Sequence, residues 1–400
     1  MQTPARSSYD VVIVGGAIYG SSVAWWLSRM AGFDGTVLVV ERDPTYEFAS
    51  TSHTNSCIRQ QFSNATNIAV SQFGAQFIRN FRDFMGGAEE VPHLTLQSYG
   101  YMYLADTPEF AASLQEAQQV QQSLGAATRH MSAAEIAAAY PFYQLDDIIA
   151  ANHNLVDEGY FDGGTMFDWF KRSARQGGVE YIHNTVTAMT RVGDAVQSVT
   201  LACGTVVACG TVVNASGPRA VATARMAGLD IPVAPRKRYT FVFDAAEPLD
   251  RDLPLTIDPS DVHFRSEGKY YLAGCPPDAD ADVDVAFDDF AFDHSLWESK
   301  VWPAIATRIP QFEAIKVINE WVGHYAYNTL DQNALLGRAQ DCTNFIFVNG
   351  FSGHGLQQSP AMGRGIAELI AYGAYRSLDL SAFDVNRVAR DEPFLEKAVI

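Results

Sequence analysis

Asp10-Val11-Val12-Ile13-Val14-Gly15-Gly16-Ala17-Ile18-Tyr19-Gly20 is the stretch that decides the fold. Val11 to Val14 are all β-branched and read as a short buried strand. The glycine turn hands the chain to an apolar helical run, residues 21–30. After a turn at residues 32–35, a second strand over residues 36–40 ends at Glu41. Strand, glycine turn, helix, strand and terminal acid together make a βαβ dinucleotide site. Gly15 permits the tight turn, and Gly20 lets helix and strand pack closely. The helix N-terminus offers free N–H groups to a pyrophosphate, and Ile18, just before the run, is a cofactor-binding candidate. Glu41, followed by Arg42, is placed to accept hydrogen bonds from a ribose. Ala17 stands where such turns carry a middle glycine, which brings a Cβ near the pyrophosphate path.

The 400 residues include 28 Lys and Arg against 46 Asp and Glu, a net charge of −18. That balance excludes a generic nucleic-acid or anionic-membrane surface. The length suits two interleaved lobes. Cys57, Cys203, Cys209, Cys275 and Cys342 form no C-x-x-C pair and are odd in number, so they read as reduced thiols of a cytoplasmic protein. The N-terminus lacks the apolar core of a signal peptide, and no apolar run approaches the ~18 residues that span a bilayer. No integral membrane segment and no metal are expected.

Along the chain, Ser50, Thr51 and His53 fall in a polar loop after the second strand, on the ligand side of such a sheet. Residues 73–85 read as an amphipathic helix. Residues 98–105 read as a strand, and Thr107-Pro108 opens a helix that runs to Leu124. Ser132 and Glu135 form a capping box for another. A helix over residues 166–176 follows Gly163-Gly164. Then a strand meander is expected over residues 180–183, 185–191, 196–203 and 206–209. A separate strand, 211–213, delivers Asn214-Ala215-Ser216-Gly217. Strands are expected at 239–243, 262–265 and 269–273, and a helix at 292–307. A strand pair is expected at 316–327. Arg236-Lys237-Arg238 is a basic knot, and residues 278–289 read as an exposed acidic turn.

A strand at 344–348 leads into Asn349-Gly350-Phe351-Ser352-Gly353-His354-Gly355-Leu356-Gln357-Gln358. A helix follows from about Ser359 to Tyr372, with Pro360 in its first turn. This repeats the opening logic: a strand brings a glycine loop to a helix N-terminus, whose positive end stabilises an anion. Two such turns suit a long ligand held at both ends, pyrophosphate at one and isoalloxazine at the other.

The opening motif, Asn214-Ala215-Ser216-Gly217 and Gly350-Phe351-Ser352-Gly353-His354-Gly355 together resemble the FAD-dependent D-amino acid oxidase superfamily. Within it the chain looks most like the sarcosine oxidase, dimethylglycine dehydrogenase and glycine oxidase branch. Glu41-Arg42-Asp43-Pro44-Thr45-Tyr46, Pro235-Arg236-Lys237-Arg238-Tyr239 and residues 327–333 are similar to the FAD-dependent oxidoreductase domain-containing protein 1 group, which includes a mitochondrial complex I assembly factor. Bacterial iminodiacetate oxidase stands near it. The resemblance implies an α/β fold with an α+β second lobe, of the glutathione-reductase-like D-amino acid oxidase type. A Rossmann-like FAD-binding domain would take residues 1–90, 150–220 and 325–385. A mixed-sheet substrate domain would take 91–149 and 221–324.

The resemblance further implies oxidation of a secondary or tertiary amine bearing a carboxylate, with O2 or an electron-transfer acceptor. Arg59 matches the arginine that clamps the substrate carboxylate, and Gln357 stands where the family has a lysine. Tyr271 matches a tyrosine covering the substrate, and His354 lies beside the flavin loop. His53 loosely matches a histidine that bonds FAD covalently in dimethylglycine dehydrogenase, but His324 and Tyr325 stand where sarcosine oxidase has its attachment cysteine. Non-covalent FAD is the expectation. The oxygen-activating lysine has no clear counterpart, with Lys237 as a substitute. Charge suggests that His263, Arg265 and Arg238 bind a second carboxylate. The rival readings are an FAD-binding assembly protein with little turnover and a nicotinamide-linked dehydrogenase.

Overall fold

The computed structural model describes residues 1–397. Strand β1 (Ser8–Val14) sits inside an eight-stranded sheet. It pairs in parallel with β2 (Val37–Glu41), which pairs in parallel with Glu180–His183. On its other side lie Val206–Asn214 and Cys342–Asn349, also parallel, and an antiparallel edge, Leu335–Ala339. The register aligns Val14 with Val40 and Asn214, and Asn214 with Phe347, so four strands end at one crevice. Ligands bind at that end of such sheets.

Burial on both faces explains the unbroken apolar run of β1. Val11 and Ile13 pack under a helical layer, and Val12 and Val14 pack under the meander side. Helix α1 (Ile18–Leu27) lies between the sheet and the helices Gly163–Gln176 and Gly355–Tyr372. It is hydrophobic all round because it is enclosed all round. Ser22 and Gly363 let α1 cross the helix Gly355–Tyr372 closely: a Cβ on Gly363 would lie 2.7 Å from Ser22 Cβ. The Ser22 hydroxyl donates to Ser359 O at 2.8 Å.

The second eight-stranded sheet runs Ile315–Asn328, Val233–Ala245, Tyr270–Cys275, His263–Glu267, Leu255–Ile257, Tyr101–Ala105, Ala150–Asn154, Arg129–Ser132. Its period-two alternation separates two faces. Tyr239, Phe241 and Phe243 enter a core covered by the helical segments around Trp297 and Ile305. Arg238 and Thr240 face the other way, toward the first sheet.

Several expectations shift. Residues 150–154 pair with Tyr101–Ala105, so they belong with the 91–149 insert and not with the first sheet. Glu180–His183 extends the parallel sheet through β2 and is not part of the meander. Residues 206–214 form one strand, because Gly210 accepts the close backbone of Asp10, whose O would lie 2.8 Å from a Cβ there. Ile315–Asn328 is likewise one long strand, not a pair. The helix expected at 73–85 begins at Ala65, capped by Asn64, and breaks at Asn80. The helix expected at 292–307 starts only at Ser295, with a π turn at Trp297–Val301 before Trp302–Arg308. Helix Gly355–Tyr372 starts earlier than expected, leaving Pro360 inside it. Pro360 cannot donate to Leu356 O, and the Ser359 hydroxyl takes that carbonyl at 2.9 Å instead. Residues 278–289 do not stand free but lie along Arg236, Lys237 and Arg238. Among the described residues, no helix is long and apolar enough to cross a membrane.

Candidate active site

An elongated cavity of about 720 Å³ lies between the two sheets, at the crevice end of the first. Gly15, Ala17, Ile18, Glu41, Arg42, Ser50, Thr51, His53, Ser216 and Gly217 form one part of its wall. Gly15 has φ +98°, and a Cβ there would lie 2.5 Å from Ala215 O, so only glycine fits. Gly20 stands outside the wall and serves packing, as the sequence suggested, against the Gly15 backbone. Glu41 is also a structural brace. Its carboxylate accepts from Gly16 N at 2.7 Å and from Asp43 N at 2.8 Å, tying the glycine turn to the end of β2. Burial raises its pKa, and the backbone donors oppose that rise. Ile18 N donates to Thr51 Oγ1 at 3.3 Å, and Ser50 Oγ donates to His324 O at 2.5 Å.

Gly353, His354, Gly355, Leu356 and Gln357 bring the second glycine loop to the same cavity. Gly353 has φ +95°, and a Cβ there would enter the Tyr325 ring. Gly350, φ +71°, turns the chain out of its strand against Asn328 and Val233 but lies outside the wall. Tyr19 joins the two loops: its ring stacks on Phe351 at 3.7 Å and its hydroxyl donates to Gly355 O at 2.7 Å. Neither α1 nor Gly355–Tyr372 is capped by the side chain of its N-cap residue; Thr51 takes the Ile18 N–H of α1, and both N-termini lie in the cavity wall.

Arg59 is 2% exposed in the same wall. Its guanidinium lies 4.2 Å over the Phe62 ring, and its Nε donates to Gln61 O at 3.2 Å. Nη2 donates to His354 Nε2 at 3.1 Å, so that nitrogen carries no proton. Burial, then the neighbouring Arg59, push the His354 pKa well below the imidazole range and keep it neutral. Gln357 Oε1 accepts Arg59 N–H at 2.9 Å. Behind them, Glu158 is fully buried and accepts from Gln60 N, Gln61 Nε2 and Asn154 Nδ2.

Tyr271 is not where the sequence placed it. It sits on the far face of the second sheet, packed on Phe243 and Phe312, with its hydroxyl accepting from Leu249 N. Two other tyrosines, Tyr101 and Tyr325, line the cavity with Leu255 and Thr240. Alternation in their strands announces a face but not which face turns inward. Lys237 is tied to Asp289 and Ala291 O, outside the wall. Arg265 is held behind Asn55, donating to Asn55 O and Tyr99 Oη and pairing with Glu267. Only His263 and Arg238 of the proposed trio line the cavity, and Asp282 grips the Arg238 fork.

A long cavity with a glycine turn and a helix N-terminus at two places along it fits a dinucleotide carrying a ring system. The DAO family, described as FAD dependent oxidoreductase, matches residues 10–369. FAD-dependent oxidoreductase domain-containing protein 1 of Xenopus laevis is 37% identical, over 98% of this chain and 85% of that one. Mitochondrial sarcosine dehydrogenase of Homo sapiens is 22% identical, over 96% of this chain and 42% of that one. L-proline dehydrogenase from P. horikoshii has the same fold, with TM-score 0.83 at 23% identity, covering 97% of this chain and 99% of that one.

Proposed function

Because the chain belongs to the DAO family of FAD-dependent oxidoreductases, we propose that it oxidises a secondary or tertiary amine bearing a carboxylate: an N-substituted glycine such as sarcosine, dimethylglycine or iminodiacetate. The observation that carries this reading is Arg59, a buried guanidinium in the wall of the cofactor cavity. Away from water, its planar fork binds a carboxylate through two charged hydrogen bonds. Neutral His354 orients the fork without adding a second charge, and Gln357 fixes the backbone beneath it. Tyr101, Tyr325 and Leu255 shield the same space from water. Sarcosine and proline, named in two of the similar proteins, are both carboxylate-bearing secondary amines.

The glycine turn at Gly15 and the N-termini of α1 and Gly355–Tyr372 hold the cofactor, without a covalent bond from His53. FAD bound there would supply the hydride acceptor for the carbon next to nitrogen, with O2 or another acceptor taking the electrons onward. The resulting imine hydrolyses to an aldehyde and an amine. Five unpaired thiols support a cytoplasmic setting.

The test is ligand binding. Acetate, a carboxylate with nothing to oxidise, should perturb the flavin spectrum of the wild type. Arg59→Met should bind it at least ~10-fold more weakly with its flavin content intact. Equal affinities would remove Arg59 from the carboxylate site.

A further inference from the structure

The acidic run and the basic knot meet in the structure. Arg238 grips Asp282 with both Nη atoms, at 2.9 and 3.2 Å. Arg236 reaches Asp284 at 3.4 Å, and Lys237 reaches Asp289 at 2.8 Å. Among the described residues, the segment makes one backbone hydrogen bond to another element, Val285 N to Pro235 O at 3.0 Å. Its attachment to the second sheet therefore rests on these ion pairs together with a hydrogen bond between His324 Nε2 and Asp289 O at 2.8 Å.

The far side of the segment reaches the first lobe through rings. Phe287 lies 3.6 Å under the Arg219 guanidinium. Phe290 meets Phe48 at 5.0 Å, and it also stacks on His324 of the second sheet at 4.2 Å. Phe287, Asp288 and Phe290 are themselves cavity wall, so the segment bridges the candidate cofactor crevice.

We infer that residues 278–291 form a salt-latched strap that closes over FAD and must lift for the cofactor to come or go. The strap goes beyond the substrate reading and holds whichever amine is oxidised. Partly exposed ion pairs weaken when salt shortens the screening length, whereas ring contacts do not. The latch should therefore open with ionic strength while the aromatic cover persists.

FAD release from the diluted holoenzyme, followed by the rise of free-flavin fluorescence, tests this without turnover. Between about 0.05 M and 1 M NaCl the wild-type rate should rise on the order of 10-fold. Asp282→Asn should release FAD about 10-fold faster at low salt and lose most of the salt response. Phe287→Ala should release faster but keep the response. Should Asp282→Asn fail to fold, the double change Asp284→Asn/Asp289→Asn carries the same expectation, since those carboxylates are 60% and 40% exposed. Salt-independent release in the wild type overturns the latch. So does a salt response that the carboxylate changes leave untouched.

Discussion

Gly20→Ala should force α1 off β1 and loosen the cofactor. A Cβ on Gly20 would lie 2.9 Å from the Gly15 carbonyl carbon, 3.2 Å from Ile13 Cγ2, and nearer still to Gly15 O. Carbon atoms rest at about 3.5–4.0 Å, so the helix must retreat on the order of 1 Å. Two of the three obstacles are backbone of the glycine turn, and no rotamer change relieves them. The opposite flank of α1 is equally tight, where Ser22 meets Gly363. Overpacking costs about 1–3 kcal/mol, and compression from both sides puts this case at the upper end. The retreat also draws the helix N-terminus from the pyrophosphate, so FAD binding should weaken about 100-fold. Gly164→Ala is the control. Its Cβ meets only Asp162 Oδ1, at 3.4 Å, and alanine favours the helix. Titration of the apoprotein with FAD, read by fluorescence quenching, compares the two. Gly20→Ala with FAD affinity within ~3-fold of wild type and unchanged stability would refute the packing argument.

Arg59→Lys keeps the charge but loses the fork, and should raise the dissociation constant for a carboxylate ligand about 10- to 100-fold with FAD retained; flavin difference spectra measure it. Burial lifts the Glu158 carboxyl from 4.5 to about 7. Its contribution to folding is therefore full below pH 4.5 and lost as pH climbs to about 7. The stability of Glu158→Gln relative to wild type should accordingly improve by up to about 3 kcal/mol across that range, in urea unfolding of the holoenzyme. His153, lowered to about 4 by burial, acts the other way as pH falls below 6.5, which is why the comparison and not the raw curve is decisive. Arg387 is 3% exposed and pairs with Asp331 at 2.7 and 3.0 Å. Arg387→Met strands that carboxylate and should cost about 3–5 kcal/mol, seen as a lower urea midpoint.

Local chemistry made the cofactor end legible. Gly15, Gly20 and Gly353 are required by backbone geometry that neighbouring residues dictate, and Thr107 and Ser132 cap their helices as their types suggest. Tyr271 shows where such reading stops. Alternation placed it on a strand, but the inward face is set by strands distant in sequence, and Tyr325 and Tyr101 line the cavity where Tyr271 does not. Glu158 gave no local signal either, because its burial depends on Gln60, Gln61 and Asn154 converging from separate segments. The acidic run looked like a solvated turn because its cationic partners are about forty or more residues away in sequence.

The most direct test mixes the yellow holoenzyme, without oxygen, with a panel of carboxylate-bearing secondary and tertiary amines and their decarboxylated counterparts. At least one N-substituted glycine should bleach the visible flavin band and release its aldehyde, while the matching amine without a carboxylate leaves the band unchanged. A flavin that dithionite reduces but every amino acid leaves oxidised would contradict the proposed reaction.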